Sequence, residues 1–170
     1  MPRLLIKKLV HGGSFKSGLI QRISPNVVLD FWRGSTVELG SKIRAHSGCI
    51  VRVLNNAHLK IGDNVQINYR CRFMCMDSIS IGDNSFIAPS VLIYDHDHDF
   101  RAGIVKDEYK TEPVVIGKNC WIGANTVILR GTKLGDNCVV GAGCVIRGEY
   151  PDNTVIVQKR ETVSKTYEVT

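Results

Sequence analysis

Aliphatic residues return every six positions along much of this chain. Ile116, Ile122, Ile128, Leu134, Val140 and Ile146 form one unbroken series. Gly follows the anchor at Gly117, Gly123, Gly135 and Gly141, and the fourth residue after it is small at Cys120, Thr126, Thr132, Cys138 and Cys144. The same phase runs through Ile61, Ile67, Phe73 and Ile79 and restarts two residues later at Ile81, Ile87 and Ile93. Further back it passes through Leu39, Ala45 and Val51. On an α-helix a six-residue step turns successive anchors by about 240°, so no apolar stripe forms. Short strands, each with one inward anchor, satisfy the pattern. Corners such as Ile81-Gly82-Asp83-Asn84 and Leu134-Gly135-Asp136-Asn137 carry residues that permit tight bends and positive φ. Gly117 and Gly135 are eighteen residues apart, which is three hexads and one three-sided turn. One coil cannot bury its own anchors. Stacked coils share a core stabilised by ~25 cal/mol per Å² of apolar surface. The sequence therefore predicts an all-β parallel β-helix in a single domain, residues 1–170. It sets apart an N-terminal segment (1–22), a protruding loop (94–113) and a short C-terminal segment (152–170).

Composition narrows the partners. With 44% apolar and 22% charged residues, the chain is not of the disordered class. No apolar run approaches the ~18 residues of a membrane span. Leu4-Leu5-Ile6 is broken by Lys7-Lys8, and no small-residue cleavage site follows. A cytoplasmic protein is the expectation. Cys49, Cys71, Cys120, Cys138 and Cys144 fall at the small interior position of their hexads, and Cys75 does not. These cysteines read as small core residues, not as a disulfide framework or a zinc site. Net charge is +6, with basic residues clustered at Arg3, Lys7, Lys8, Lys16 and Arg22 and again at Lys159, Arg160 and Lys165. No groove-reading helix or aromatic platform accompanies them, so nucleic acid is not expected. A solvated surface, a phosphate-rich small molecule or weak association with an anionic membrane surface each fits the charge.

The period stops between Ile93 and Val114. That interval opens with Tyr94-Asp95-His96-Asp97-His98-Asp99, two of the five histidines beside three aspartates. An interruption of about twenty residues in a regular scaffold marks function or disorder. Three readings stand together on the residues alone. One His is a general base with a carboxylate fixing its tautomer. Alternatively, His96, His98 and an Asp bind a metal. The third reading is a polar loop without chemistry.

The run Ile116-Gly117-Lys118-Asn119-Cys120-Trp121-Ile122-Gly123-Ala124, followed by Val140-Gly141-Ala142-Gly143, resembles hexapeptide-repeat acyltransferases. Together with Ile87-Ala88-Pro89 and the His loop, it is most similar to the sugar O-acetyltransferases over residues ~60–155. The resemblance implies a left-handed β-helix, although the usual crossover is right-handed. It implies a homotrimer with active sites at the subunit interfaces. Acetyl-CoA is the implied co-substrate, a sugar or cell-surface glycan hydroxyl the acceptor, and no metal is required. The family's catalytic His lies nine positions after the Pro, which falls on His98, with His96 as runner-up. Asn68 matches an acceptor contact, and Tyr94 and Asp95 are further acceptor candidates. Trp121 matches an aromatic lining the site. The amide of Ala124 matches one placed at the thioester carbonyl, and Ala142 matches a contact to the pantetheine arm. Where relatives carry Thr-Lys and Gly-x-Pro-Ala-Lys, this chain has Arg147-Gly148 and Gln158-Lys159-Arg160. Arg147, Lys159 and Arg160 are chemically suited to the CoA phosphates. Each residue also has a bland role: Trp121 as a contact between copies, Asn68 as a corner residue. The alternatives are N-acetylation of a nucleotide-linked amino sugar and a carbonic anhydrase-like metal site. The latter lacks a third His a coil or two downstream of His98.

Overall fold

The computed structural model describes residues 4, 10–99, 108–159, 161 and 164–166. Short strands wind round three faces, and each pairs in parallel with the strand one coil on. The first face stacks Phe15–Ser17, Thr36–Leu39, His58–Ile61, Ser78–Ile81, Val114–Ile116, Lys133–Leu134 and Glu149–Tyr150. The second stacks Arg22–Ile23, Arg44–Ala45, Gln66–Ile67, Phe86–Ile87, Trp121–Ile122, Val139–Val140 and Val155–Ile156. The third stacks Val28–Phe31, Ile50–Val53, Arg72–Cys75, Leu92–Tyr94, Val127–Ile128 and Val145–Ile146. The first coil takes Phe15 and Ile23 from around the segment 1–22, upstream of the legible hexads. Ile116, Ile122 and Ile128 lie in one coil, one per face, and each is at most 1% exposed. The periodicity and the wall are the same object.

Corner hydrogen bonds measure the coils. The Ser41 amide donates to Asp63 Oδ1 (2.6 Å) across 22 residues, and the Asp63 amide to Asp83 Oδ1 (2.9 Å) across 20. Later, Lys118 donates to Asp136 Oδ1 (2.7 Å) across 18, and Asp136 to Asp152 Oδ1 (2.8 Å) across 16. The eighteen-residue turn is thus one step in a taper. Early coils are longer partly because their third-face strands have four residues.

The corners divide their work differently from the sequence expectation. Positive φ falls on Asn64 (56°), Asn84 (59°), Asn119 (55°) and Asn137 (59°), not on the glycines before them. Gly is needed there for close stacking. A Cβ on Gly82 would stand 2.6 Å from the Gly117 carbonyl carbon, and one on Gly117 2.5 Å from the Gly135 oxygen. The Asn side chains form a ladder, Asn119 to Asn137 and Asn137 to Asn153, each 3.1 Å. Ile20 holds this position in the first coil with φ 60°, where a β-branched residue is strained by roughly 1–2 kcal/mol.

All six cysteines are free and buried. Cys75, outside the small position of its hexad, is buried by another route, because the four-residue strand Arg72–Cys75 turns both Phe73 and Cys75 inward. Burial pushes the Cys75 thiol well up, aided by the nearby negative charge of Asp95, and pushes Cys120 up to about 11. Both remain neutral thiols at ordinary pH.

Candidate active site

The interruption leaves the solenoid at the corner between the third and first faces. His96–His98 pairs antiparallel with Tyr109–Thr111, so a hairpin base stands where the next coil would begin. The Glu112 amide donates to the Asp95 carbonyl (2.9 Å), closing that base.

Asp95 is fully buried, and its carboxylate is satisfied by the tight corner of the coil beneath. The Met76 amide donates to both oxygens (2.9 and 3.0 Å), and the Asp77 amide to Oδ2 (2.8 Å). His96 Nδ1 lies 3.0 Å from Asp95 Oδ1. A buried carboxylate is tolerated only when paired in this way. With the proton on Nδ1, the ring keeps its Nε2 lone pair for another proton. Asp95 was an acceptor-contact candidate. Its complete burial excludes direct contact, and it acts instead as the group that holds His96.

His96 and His98 project to one side of their strand, as alternate residues do. The Tyr109 ring meets both, edge-on to His96 at 5.6 Å and tilted against His98 at 4.6 Å. Tyr94 stands edge-on to His96 at 5.9 Å. His96 is largely covered, whereas His98 is exposed. Asp97, between them, faces the other way and accepts from Arg130 Nε at 2.5 Å. Arg130 also donates to Glu112, and Arg147 Nη2 lies 3.1 Å from the same carboxylate. This network of two arginines and two carboxylates pins the hairpin to the two coils that follow. Arg130 carried no sequence signal, because its partners lie 33 and 18 residues away. Arg147, a phosphate candidate, is held by Glu112.

The remaining candidates lie elsewhere. Asn68, Ala124 and Ala142 sit at the corner between the second and third faces. The Asn68 amide group donates to the Ile87 carbonyl (3.1 Å), the bland corner role. Gly143 donates to the Ala124 carbonyl (2.7 Å), and among the described residues the Ala124 N–H has no acceptor. Trp121 is 53% exposed on the second face, in register with exposed Phe86. Lys159 is exposed, and Arg160 lies outside the described residues. One chain therefore holds the histidines and Arg147 at one corner, and Asn68, Ala124 and Ala142 at another. Among the described residues no group of three or more His, Cys, Asp or Glu side chains is placed to hold a metal ion. No helix among them is long and apolar enough to cross a membrane.

Residues 113–147 match the model of the hexapeptide repeat of succinyl-transferase. A putative lipopolysaccharide biosynthesis O-acetyl transferase of Escherichia coli strain K12 is 31% identical over 142 residues, covering 78% of this chain and 72% of that protein. The chain spans about half the length of several other curated acetyltransferases it matches. Among solved structures, a Bacillus cereus N-acyltransferase, AntD, bound to a nucleotide-linked amino sugar and coenzyme A, shares the fold. Its TM-score is 0.70 at 19% identity, covering 95% of this chain and 89% of that one. A Vibrio cholerae hexapeptide-repeat acetyltransferase complexed with acetyl coenzyme A superposes with TM-score 0.55 at 25% identity, covering 91% and 70%. With its six-residue wall and interrupting histidine hairpin, the chain belongs to the hexapeptide-repeat acyltransferases, in their sugar O-acetyltransferase subgroup.

Proposed function

We propose that the protein transfers an acetyl group from acetyl-CoA to a sugar hydroxyl of a cell-surface polysaccharide or its precursor, in the cytoplasm. The observation that carries this reading is the hairpin, which interrupts the wall only to present two imidazoles on one side. Buried Asp95 and the Arg130 network hold that surface rigid.

A sugar hydroxyl is a weak nucleophile at neutral pH. A positioned base that takes its proton as the oxygen attacks a thioester carbonyl is worth roughly 10²–10⁴ in rate. His98 is assigned this role, because it is the exposed ring and lies nine residues after Pro89. Negative charge then develops on the carbonyl oxygen, and the Ala124 N–H is a fixed donor suited to it. As oxygen bonds to the acyl carbon, the carbon–sulfur bond breaks, and the thiolate takes the proton back from the imidazolium. The histidines and the Ala124 and Ala142 amides sit at different corners of one chain, so a site that joins them needs a second copy. This favours a homotrimer with sites between subunits, the exposed Phe86 and Trp121 serving the contact or lining the site.

A second assignment rests on a specific contact: His96, not His98, has a carboxylate at Nδ1. The test is release of CoA from acetyl-CoA with a panel of sugars, for wild type, His98→Ala and His96→Ala. Loss of about 10²–10⁴ in turnover for His98→Ala, with thermal stability and CoA binding intact, supports the first assignment. Full activity in His98→Ala with His96→Ala inactive transfers the base to His96. No CoA release with any sugar sinks the reading.

A further inference from the structure

One corner of the solenoid breaks the rule the others follow. At the corner between the first and second faces, successive coils present Ser41-Lys42, Asp63-Asn64, Asp83-Asn84, Lys118-Asn119, Asp136-Asn137 and Asp152-Asn153. The first coil presents Leu19 and Ile20, which are 77% and 61% exposed. Ile20 adopts φ 60° where later coils place Lys or Asn, so an exposed aliphatic side chain is kept against backbone strain. Neither local conformation nor burial favours it there.

Cations surround this tip. Arg22 and Arg44 are in register on the outside of the second face, and a groove is lined by Ile20, Arg22, Lys42, Arg44 and Asn64. None of these three cations has a carboxylate at ion-pair distance among the described residues, although Lys16, Arg52 and Lys118 do. Further along the corner, Asp63 and Asp83 reverse the sign, and Lys118, the next cation there, is paired with Asp83 (3.5 Å), so among the described residues the cations without a carboxylate partner at this corner belong to the first two coils.

We propose that this corner docks the protein on an anionic membrane surface. Leu19 and Ile20 enter the headgroup boundary, and Arg22, Lys42 and Arg44 lie against lipid phosphates. Aliphatic side chains beside unpaired cations are the composition an interfacial site requires. A soluble phosphate would use the cations but leave the aliphatic tip without a role. A second copy meeting the same surface about a two-fold axis would bring arginines against arginines.

Co-sedimentation of the full chain with phosphatidylglycerol–phosphatidylcholine vesicles tests this against phosphatidylcholine alone. Binding is expected only to the anionic vesicles and should weaken as salt rises. Each cation near such a surface is worth a factor of about five, so the triple variant R22Q/K42Q/R44Q should bind about 100-fold more weakly. The double variant L19S/I20N should also lose binding while melting at a higher temperature, because Asn accepts the positive φ that strains Ile. That opposite pair of changes separates docking from folding. CoA release with a soluble acceptor should stay at the wild-type level in both variants. The proposal is overturned by equal binding to neutral vesicles, or by unchanged binding in both variants. It is equally overturned by a fall in sedimenting mass in the variants, which marks a contact between copies, or by loss of soluble turnover, which places the corner in the acceptor site.

Discussion

The solenoid wall and the hairpin that interrupts it are built on opposite plans. The wall is stabilised by repetition: Ile87, Ile122 and Val140 stack in register, all but fully buried, with backbone bonds from coil to coil. The hairpin base has two paired segments of three residues, and charged groups hold it. Asp95 caps two amides of the coil beneath, and Arg130 reaches Asp97 and Glu112 from the coil beyond. Apolar stacking gives rigidity without chemistry. Charge pairing costs desolvation, yet it fixes polar side chains where a substrate can meet them.

The largest test of this contrast is in the wall. Ile122→Ala deletes a fully buried side chain at the centre of the stack and should cost about 2–5 kcal/mol in denaturant unfolding. Turnover per folded molecule should change little. A large loss of kcat at unchanged stability would mean that wall and hairpin are not separable. Next is Arg130→Ala, which unpins the hairpin without touching the apolar core. Displacing a catalytic group by about 1 Å costs up to about 100-fold, so kcat should fall toward that limit, with a small change in melting temperature and in KM for acetyl-CoA. Arg130→Lys should recover part of it, since one of the two contacts can reform. A cooperative collapse of the fold instead would make Arg130 part of the wall.

The smallest effect is on pH. The Arg147 hydrogen bond, with the charges of Arg130 and Arg147, holds the Glu112 carboxyl below the usual carboxylate range. A depressed carboxyl contributes its anchoring fully above its open-state value, about 4.3, and loses it as pH falls through the lower closed-state value. Hydrogen exchange should therefore show the Asp99 and Glu112 amides losing protection below about pH 4, while the Trp121 amide in the wall keeps its own. Simultaneous loss at both places would contradict the separation.

The wall was legible because its signal is local in type and repeated. Ile116 to Ile146 names a face every six residues, whatever else the chain does. Even there, the first coil around Phe15 carries no hexad signal, since Gln21 takes a core position that later coils give to Ile43, Val65 and Cys120. The buried Gln21 side chain accepts from the Ile43 amide (3.1 Å) and donates to the Gly40 carbonyl (2.5 Å), satisfying backbone groups of the next coil. At the hairpin, the sequence named the histidines and aspartates but not their roles. Asp95 and Asp97 look alike in the chain, two residues apart. One is sealed under the hairpin on two backbone amides, and the other is turned outward onto Arg130.

By itself the sequence determined that strands of one period stack into a three-faced coil, where that coil is interrupted, and which side chains the interruption carries. The tertiary structure alone decided which His is held by a carboxylate, that Arg130 and Arg147 close on Glu112, and that Ala124 and Ala142 lie at another corner. It also showed the corner glycines to be sites of close approach. The physical reason is range. Periodic burial is written into neighbouring residues, but a charge finds its partner across coils, 18 to 35 residues away, and only folding brings those residues together.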